Sequence, residues 1–490
     1  MNQTESYEIE RVSQILSVLK AAVKKNVTVP EKLRYAPEKL NFNQLPVFQE
    51  FRNGGSWGGF DQYGWFQCLF EIPEKTEGCG LWIEITQNKR DWYAQNPQFL
   101  LYCNQIPMQG FDIYHEECLI TEHARGKETV CIDIDAWSGM VLKDVSWDDR
   151  ENRPGILSIR FYEKDCNTER LYYDMKSMLD TAVCCGKESD EGIILLHALH
   201  EAVNLLDLRE IGSESYDNSI KEAAKYLKEE FFLKRCGSNG KKARCVGHTH
   251  IDVAWMWQKS HTRNKTVRSF QTALKLLEEY PEFIFMSSQP QLYEYFREAQ
   301  PEEFEKIKKY TNLGRWEAEG GMWVEADCNL TSGESLIRQF LEGKQYFKEQ
   351  FGTESRILWL PDVFGYSAAL PQICRKCGID YFMTTKISWN EQDQIPYDTF
   401  LWKGIDGSEL LTHFSPSRRF DHVEYNSFGF ARSPHITTYN AELSPDYVMG
   451  GWKRYAQKSL NTEFLMPCGF GDGGGGTTRE MVECGKRMSY

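Results

Sequence analysis

No stretch of about 18 consecutive apolar residues occurs anywhere in the 490 residues, which excludes a membrane-spanning helix of ordinary length. Positive charge is in deficit. Lys and Arg number 57 against 71 Asp and Glu, a net charge of -14, and such a surface argues against nucleic acid or an anionic membrane as partner. Met1 to Glu10 is polar and acidic, without the basic-apolar-small order of a targeting leader. A disulfide framework is also missing: the fifteen cysteines are odd in number and scattered, and Cys184 and Cys185 are adjacent. That pattern suits reduced thiols, so a cytoplasmic location is expected. Cys374 and Cys377 form a lone Cys-x-x-Cys with no second pair and no nearby histidine, so they read as thiols at a helix end rather than a zinc knuckle. There is no internal repeat, and the only low-complexity segment is a short glycine run.

The length suffices for several domains, each with its own core. Ile9, Val12, Ile15, Leu16 and Leu19 recur at helical spacing, predicting an opening helix within an N-terminal segment, residues 1–40. From 41 to 188 the texture changes to short aromatic and β-branched runs between turn signals, such as Gly64 to Pro73, Leu81 to Ile85 and Ile156 to Phe161. An antiparallel β-sandwich is expected there. Its aromatic residues Trp57, Trp65, Trp92 and Trp137 are read mostly as core rather than as a sugar-binding face. Residues 189–242 read as a helical linker, with Leu195, Leu196, Leu199, Val203 and Leu206 on one face and a break over Gly212 to Asn218 before a second helix, Ser219 to Lys234. Residues 243–490 alternate strand with helix: a helix over Ser269 to Glu279, a strand over Phe283 to Met286, helices over Pro301 to Thr311 and Ser335 to Gln350. This predicts a barrel-like, mostly parallel α/β domain, closed or nearly closed, within a multidomain α+β chain.

The densest chemistry lies in Gly247 to Trp257, which follows Ala243 to Val246, a short run that reads as a buried strand entering from a basic stretch. His248, His250 and Asp252 alternate, so along extended backbone they share one face at the end of a strand. Imidazole with carboxylate is a good ligand set for a divalent ion such as zinc. Trp255 and Trp257 add flat apolar rings suited to stacking on a sugar. A second segment, Ile357 to Ile373, opens with a compact apolar strand stopped by Pro361. Asp362 stands just beyond the strand end, where α/β folds place their chemistry, and Gly365 reads as a sharp turn. Alone, Asp362 would be read as a helix cap.

Taken together, His-x-His-x-Asp-x-x-Trp and Leu-Pro-Asp-Val-Phe-Gly-Tyr-Ser resemble the α-mannosidases of glycoside hydrolase family 38. The resemblance extends through Gly320 to Gln339, Thr385 to Asn390, Gly404 to Gly407 and Gly469 to Gly476. The Gly-Asp-Gly-Gly-Gly-Gly run is similar to the cytosolic or vacuolar branch, as is the upstream half. The resemblance implies a retaining α-mannosidase that removes terminal α-linked mannose from oligosaccharides, with a divalent metal, zinc first and cobalt or manganese as alternatives. It implies His250, Asp252 and Asp362 as metal ligands, Asp362 also as nucleophile, His248 behind the ligands, and Trp255 stacked on the sugar. Glu325, Asp327 and Tyr366 are read as substrate contacts. A homo-oligomer is also implied.

A retaining glycosidase needs a second carboxyl group, about 5 to 5.5 Å from the first, to protonate the leaving oxygen and then activate water. Asp472 is the choice over Glu325, because the glycines around it let backbone approach a ligand and leave the carboxylate uncrowded. The run lacks the Lys-Ser or Lys-Thr of a nucleotide loop. The family's fourth metal ligand is a histidine well beyond the glycine loop. No histidine follows Gly476, and His413, His422 and His435 lack that context, so the 490 residues read as the front half of a longer protein, without its helical bundle and all-β domains. Two rival readings stay open: an amidohydrolase-like metal hydrolase, which also opens with His-x-His but needs a bridging lysine and further histidines, and a catalytically inert glycan-binding fragment.

Overall fold

The computed structural model describes residues 3–39, 42–43, 46–88, 97–140, 154–237, 240–390, 392–420 and 435–489. It divides into two compact units. One ends at Gly237 and takes back the residues from Lys486; the other ends at Gly485.

The first unit opens with the helix Gln3–Ala22. Its strands are β1 (Lys24–Thr28), β2 (Leu33–Ala36), β3 (Gln49–Phe51), β4 (Gly55–Trp57), β5 (Tyr63–Glu71), β6 (Leu81–Gln87), β7 (Gln98–Cys103), β8 (Ile106–Phe111), β9 (Glu117–Thr121), β10 (Thr129–Trp137) and β11 (Gly155–Lys164). One sheet runs β1-β11-β6-β9 with β4 also on β11; the other runs β3-β2-β5-β10-β7-β8. Every pairing is antiparallel. Phe66, Ile83, Leu101, Ile132, Ile159 and Phe161 pack in the single core of these two sheets. The sandwich therefore starts at Lys24, inside the segment expected to be helical, because β-branched and aromatic residues there find partners on β11 and β5. Trp57, Trp65 and Trp137 are buried, and the indoles of Trp65 and Trp137 donate to Asp133 and Asp61 at 2.9 and 2.8 Å. They are core residues with satisfied polar edges. Trp92 lies outside the described residues.

Helices Cys166–Cys185, Asp190–Asn204 and Glu214–Tyr226 complete this unit, capped by Asp165, Ser189 and Ser213. The last begins five residues earlier than the spacing predicts, since Ser213 accepts from the Tyr216 amide. Thr168 bonds the Tyr216 hydroxyl at 2.9 Å, and Arg11 donates to Asn204 at 2.9 Å. These helices are packed parts of the unit, not a tether.

The second unit holds two four-stranded sheets. The first comprises β12 (Lys242–His248), β13 (Phe285–Ser287), β14 (Trp316–Ala318) and, after β15 (Ile357–Trp359), β16 (Tyr381–Thr384), β17 (Thr399–Lys403) and β18 (Glu409–Phe414) in chain order, β19 (Glu463–Cys468). Its order is β14-β13-β12-β19, parallel throughout. The second is β15-β16-β18-β17, parallel except for the edge strand β17. Among the described residues no ladder joins the sheets into a closed barrel. Single bonds link them: Trp359 N to Gly320 O at 3.4 Å, and Ser415 Oγ to Leu465 O at 3.1 Å. Val246, Met286, Trp359 and Met383, from four different strands, pack together in the interior. The helices between strands include Lys259–Glu279, Pro290–Ala299, Pro301–Asn312 and Gly333–Phe351. The first starts ten residues before the expected Ser269. Its opening turns bury His261, Thr262, Lys265 and Arg268, so no apolar stripe marks them.

The helix Gly333–Phe351 lies hard against the chain after β14. A Cβ on Gly343 would stand 2.4 Å from Gly321 O and 2.5 Å from Met322 C, both backbone. Alanine would gain about 1 kcal/mol of helix propensity there, yet the overpacking costs about 1–3 kcal/mol and decides the sign. Gly343→Ala is therefore expected to lower the midpoint of chemical denaturation, whereas an unchanged or higher midpoint would show that the contact relaxes freely.

Candidate active site

Parallel strands deliver their chemistry from their C-terminal ends, and here six such ends converge. β12 ends at His248 and continues into His250 and Asp252. The His250 Nε2 lies 3.3 Å from Asp252 Oδ1 and 3.5 Å from Asp362 Oδ2, and one ligand atom from each of the three residues lies within 4.8 Å of the others. Asp362 follows β15 across the gap between the sheets. Two of the residues picked out by alternation thus meet the carboxylate picked out by its place after a strand.

His248 does not join them. It is buried, and its Nε2 accepts from the Trp359 indole at 3.1 Å. Burial, helped by the charge of His250, pushes its pKa down to about 3, so it stays neutral. His250 goes the other way. Burial would lower it, but the carboxylates of Glu325 and Asp252 lift it well above the ordinary histidine value. Glu325 Oε2 lies 2.7 Å from His250 Nδ1, while Oε1 accepts from Ser288 Oγ at 2.7 Å. With Glu325 beside Nδ1, the Nε2 of His250 faces the two aspartates, and loss of its proton there would free a lone pair for a metal. Gln289 locks this geometry, accepting from Glu325 N at 3.1 Å and donating to Ile251 O at 3.0 Å. Glu325, read as a substrate contact, turns one carboxyl oxygen to His250 and the other to Ser288.

The donor set fits a divalent ion. It offers one imidazole nitrogen and two carboxylates, with Asp252 Oδ2 buried and lacking any hydrogen-bond partner. Buried anionic oxygens without partners are costly, and a bound cation removes that cost.

Lys386, after β16, was not singled out from the sequence. Its ammonium lies 2.6 Å from Asp362 Oδ1 in a nearly enclosed position, 3.6 Å from the Trp389 ring centre and 4.5 Å from that of Phe364. A lysine within Thr-Thr-Lys-Ile-Ser-Trp carries no local signal of burial; only the parallel neighbour pair β15 and β16 brings it to Asp362.

Asp472 follows β19 in a left-handed backbone conformation, φ 53°. Its Oδ1 accepts from the Tyr439 hydroxyl at 2.7 Å. Burial raises its pKa, with the charges of Asp252 and Asp362 acting the same way and His250 and Tyr439 opposing. The glycine loop is closed rather than loose: Phe470 and Gly476 exchange two backbone bonds of 2.9 Å, and Gly473 N donates to His250 O at 3.1 Å. Trp255 is 45% exposed and meets buried Trp257 edge to face at 5.5 Å, so only Trp255 offers a platform.

Two expected substrate contacts sit elsewhere in their surroundings. Asp327 is exposed, and its Oδ1 accepts from the amides of Asn329 and Leu330, shaping the turn ahead of a helix. The Tyr366 hydroxyl donates to Val363 O at 2.7 Å and bonds Thr384, bracing the loop that carries Asp362. Gly365 makes no left-handed turn; the Asn329 side chain packs over it, its Nδ2 1.9 Å from where a Cβ would stand. His413 serves the fold, bonding Thr399 Oγ1 and the Leu465 amide. His422 lies outside the described residues.

A family model described as the glycosyl hydrolases family 38 N-terminal domain matches residues 241–490. Alpha-mannosidase 2C1 of Mus musculus is 37% identical over 471 residues, covering 94% of this chain and 41% of that protein. Alpha-mannosidase G of Dictyostelium discoideum is 32% identical over 457 residues, 91% of this chain and 38% of that protein. The chain spans about two fifths of the length of these curated relatives. Among solved structures, an alpha-mannosidase from Enterococcus faecalis V583 aligns with a TM-score of 0.39 at 20% identity, over 51% of this chain and 27% of that one.

If Glu325 orients His250 for a cation, Glu325→Ala weakens zinc binding roughly 10- to 100-fold in equilibrium dialysis. An unaltered affinity would remove Glu325 from the site.

Proposed function

The chain belongs to the family 38 glycosyl hydrolases, and from that premise we propose that it hydrolyses terminal α-linked mannose from oligosaccharides with retention of configuration. The observation that carries this reading is the convergence of His250, Asp252 and Asp362 around one point, with Asp472 close enough to feel their charges.

In the proposed mechanism His250, Asp252 and Asp362 hold a divalent ion, zinc first and cobalt or manganese as alternatives. When bound, the ion supplies a template for adjacent sugar hydroxyls and electrostatic stabilisation of a distorted ring. Trp255 stacks its exposed ring on the apolar face of the mannose. Lys386 grips Oδ1 of Asp362 and fixes the plane of the attacking carboxylate. Asp362 bonds to the anomeric carbon as the glycosidic bond breaks, and the proton on Asp472 goes to the departing oxygen. Water then attacks the same carbon, Asp472 takes its proton, and the bond to Asp362 breaks; two inversions give net retention. Burial keeps the Asp472 carboxyl protonated to higher pH than an ordinary aspartate, as an acid requires. His248 supports the ligands from behind, and Glu325 acts through His250. The odd number and scatter of the fifteen cysteines fit the cytoplasmic location proposed. Among the described residues no helix is long and apolar enough to cross a membrane.

The test is release of an aryl leaving group from an α-mannoside by the full chain, with and without a chelator. Chelation should abolish turnover, Asp362→Asn should lower it by at least about 10³-fold, and NMR should show the α-anomer formed first. Cleavage of an amide with no action on any glycoside would sink the reading in favour of an amidohydrolase. A second variant isolates the buried cation. Lys386→Met should reduce kcat by roughly 10²-fold while leaving KM nearly unchanged, because it orients the nucleophile rather than the sugar; a change confined to KM would reassign it to substrate binding.

A further inference from the structure

The short stretch 437–441 runs beside the glycine loop and holds it at successive points. Thr437 is anchored on one side, its carbonyl accepting from the Trp389 indole at 2.8 Å and its hydroxyl bonding Ser388 at 2.9 Å. Thr438 N donates to Ser417 O at 2.9 Å. The next three residues turn to the loop. The Tyr439 hydroxyl donates to Asp472 Oδ1 at 2.7 Å, Asn440 Oδ1 accepts from Gly471 N at 2.8 Å, and Ala441 O accepts from Gly469 N at 2.8 Å. A Cβ on Gly471 would meet Asn440 Oδ1 at 2.4 Å, so the glycine is what allows this grip.

We propose that Tyr439 and Asn440 form a clamp that positions Asp472, Asn440 holding the backbone just before it at Gly471 and Tyr439 holding its carboxyl group. The proposal rests on the reading of Asp472 as the general acid and base. Two facts favour a clamp. Asp472 sits at φ 53°, a left-handed conformation that costs an L-residue with a Cβ about 1–2 kcal/mol and that surrounding contacts must hold. The backbone bonds of the closed loop fix its main chain but leave the carboxyl group to be held by a side chain. The phenol has a chemical consequence as well. An oxygen that already accepts a strong hydrogen bond is a poor seat for the acid proton, so the bond to Oδ1 directs that proton to the other carboxyl oxygen. Tyr439 itself is rigid: it is buried, its ring meets that of His250 at 5.4 Å and 67°, and Lys386 Nζ stands 5.6 Å from its centre. Tyr439 is thus a positioning residue that acts through Asp472.

Tyr439→Phe removes one oxygen and keeps the ring. In the full chain we expect kcat/KM to depend steeply on leaving group. With 2,4-dinitrophenyl α-mannoside, whose leaving group needs no proton, the variant should stay within about 3-fold of the parent; with a mannobiose it should fall roughly 10²-fold. Asn440→Ala should show the same slope. Asp472→Asn is the control for the underlying reading. If Asp472→Asn is steep and both clamp variants are flat, with equal losses on both substrates or none, the clamp is wrong and the acid assignment stands. If Asp472→Asn is itself flat, or the parent hydrolyses neither mannoside, both fall together. Thermal melting of each variant separates damage to the fold from damage to the acid.

Discussion

Four carboxylates gather around one buried imidazole, and most of the second unit is organised to tolerate that. Glu325, Asp252 and Asp362 lie within 2.7, 3.3 and 3.5 Å of His250 nitrogens, and Asp472 is close enough for their charges to act on it. Burying like charges together costs several kcal/mol per ion unless cations or donors compensate. Each compensation has an identifiable source. Lys386 answers Asp362, Ser288 and the Nδ1 of His250 answer Glu325, and Tyr439 answers Asp472. What is left over is the face toward which His250 Nε2 and the two aspartates point, and there a divalent cation is the natural counter-charge.

Parallel strands make this crowding possible. Every group just named, apart from the strap residue Tyr439, leaves the C-terminal end of a strand: His250 and Asp252 after β12, Ser288 after β13, Glu325 after β14, Asp362 after β15, Lys386 after β16 and Asp472 after β19. Neighbouring parallel strands stand about 4.8 Å apart, so residues leaving adjacent ends fall within ion-pair reach without any long loop. The pairings follow the ladders. Asp362 finds Lys386 because β15 pairs with β16, and the glycine loop bonds the His250 carbonyl because β12 pairs with β19.

That geometry also explains which parts of the site were legible in the sequence. His250, Asp252 and Asp362 carry local signatures, an alternating ligand pattern and a carboxylate just past an apolar strand, and the structure brings them together. The antiparallel strands of the first unit were legible from short aromatic and β-branched runs between turn signals. Lys386 and Tyr439 have no such signature, because their roles arise from loops that meet only in three dimensions. Glu325 was legible as a site residue but not as the partner of His250, since nothing local distinguishes a carboxylate facing a sugar from one facing an imidazole. The extended-strand argument put His248 on one face with His250 and Asp252, whereas the resemblance put it behind the ligands; β12 ends on His248, which pairs with Trp359. The first half of the helix Lys259–Glu279 was hidden by buried polar side chains, and where a barrel-like domain, closed or nearly closed, was expected, the described residues form two sheets with no ladder between them.

His248 then acquires a role that the metal-ligand pattern conceals. The two catalytic carboxylates of the proposed mechanism come from different sheets, Asp472 beside β12 and Asp362 after β15, so no single ladder sets their separation. Beneath them the sheets meet through Val246, Met286, Trp359 and Met383, and beside these apolar contacts Trp359 Nε1 on β15 donates to His248 Nε2 on β12. The bond lies at the strand ends that lead directly to Asp362 and to His250. Because burial holds His248 neutral, its Nε2 remains an acceptor at any ordinary pH, and the link does not switch off. A retaining mechanism tolerates little change in the spacing of its two carboxyl groups. A directional hydrogen bond between sheets, just below the site, restrains that spacing more tightly than apolar packing alone, since apolar contacts permit sliding and a hydrogen bond of 3.1 Å does not.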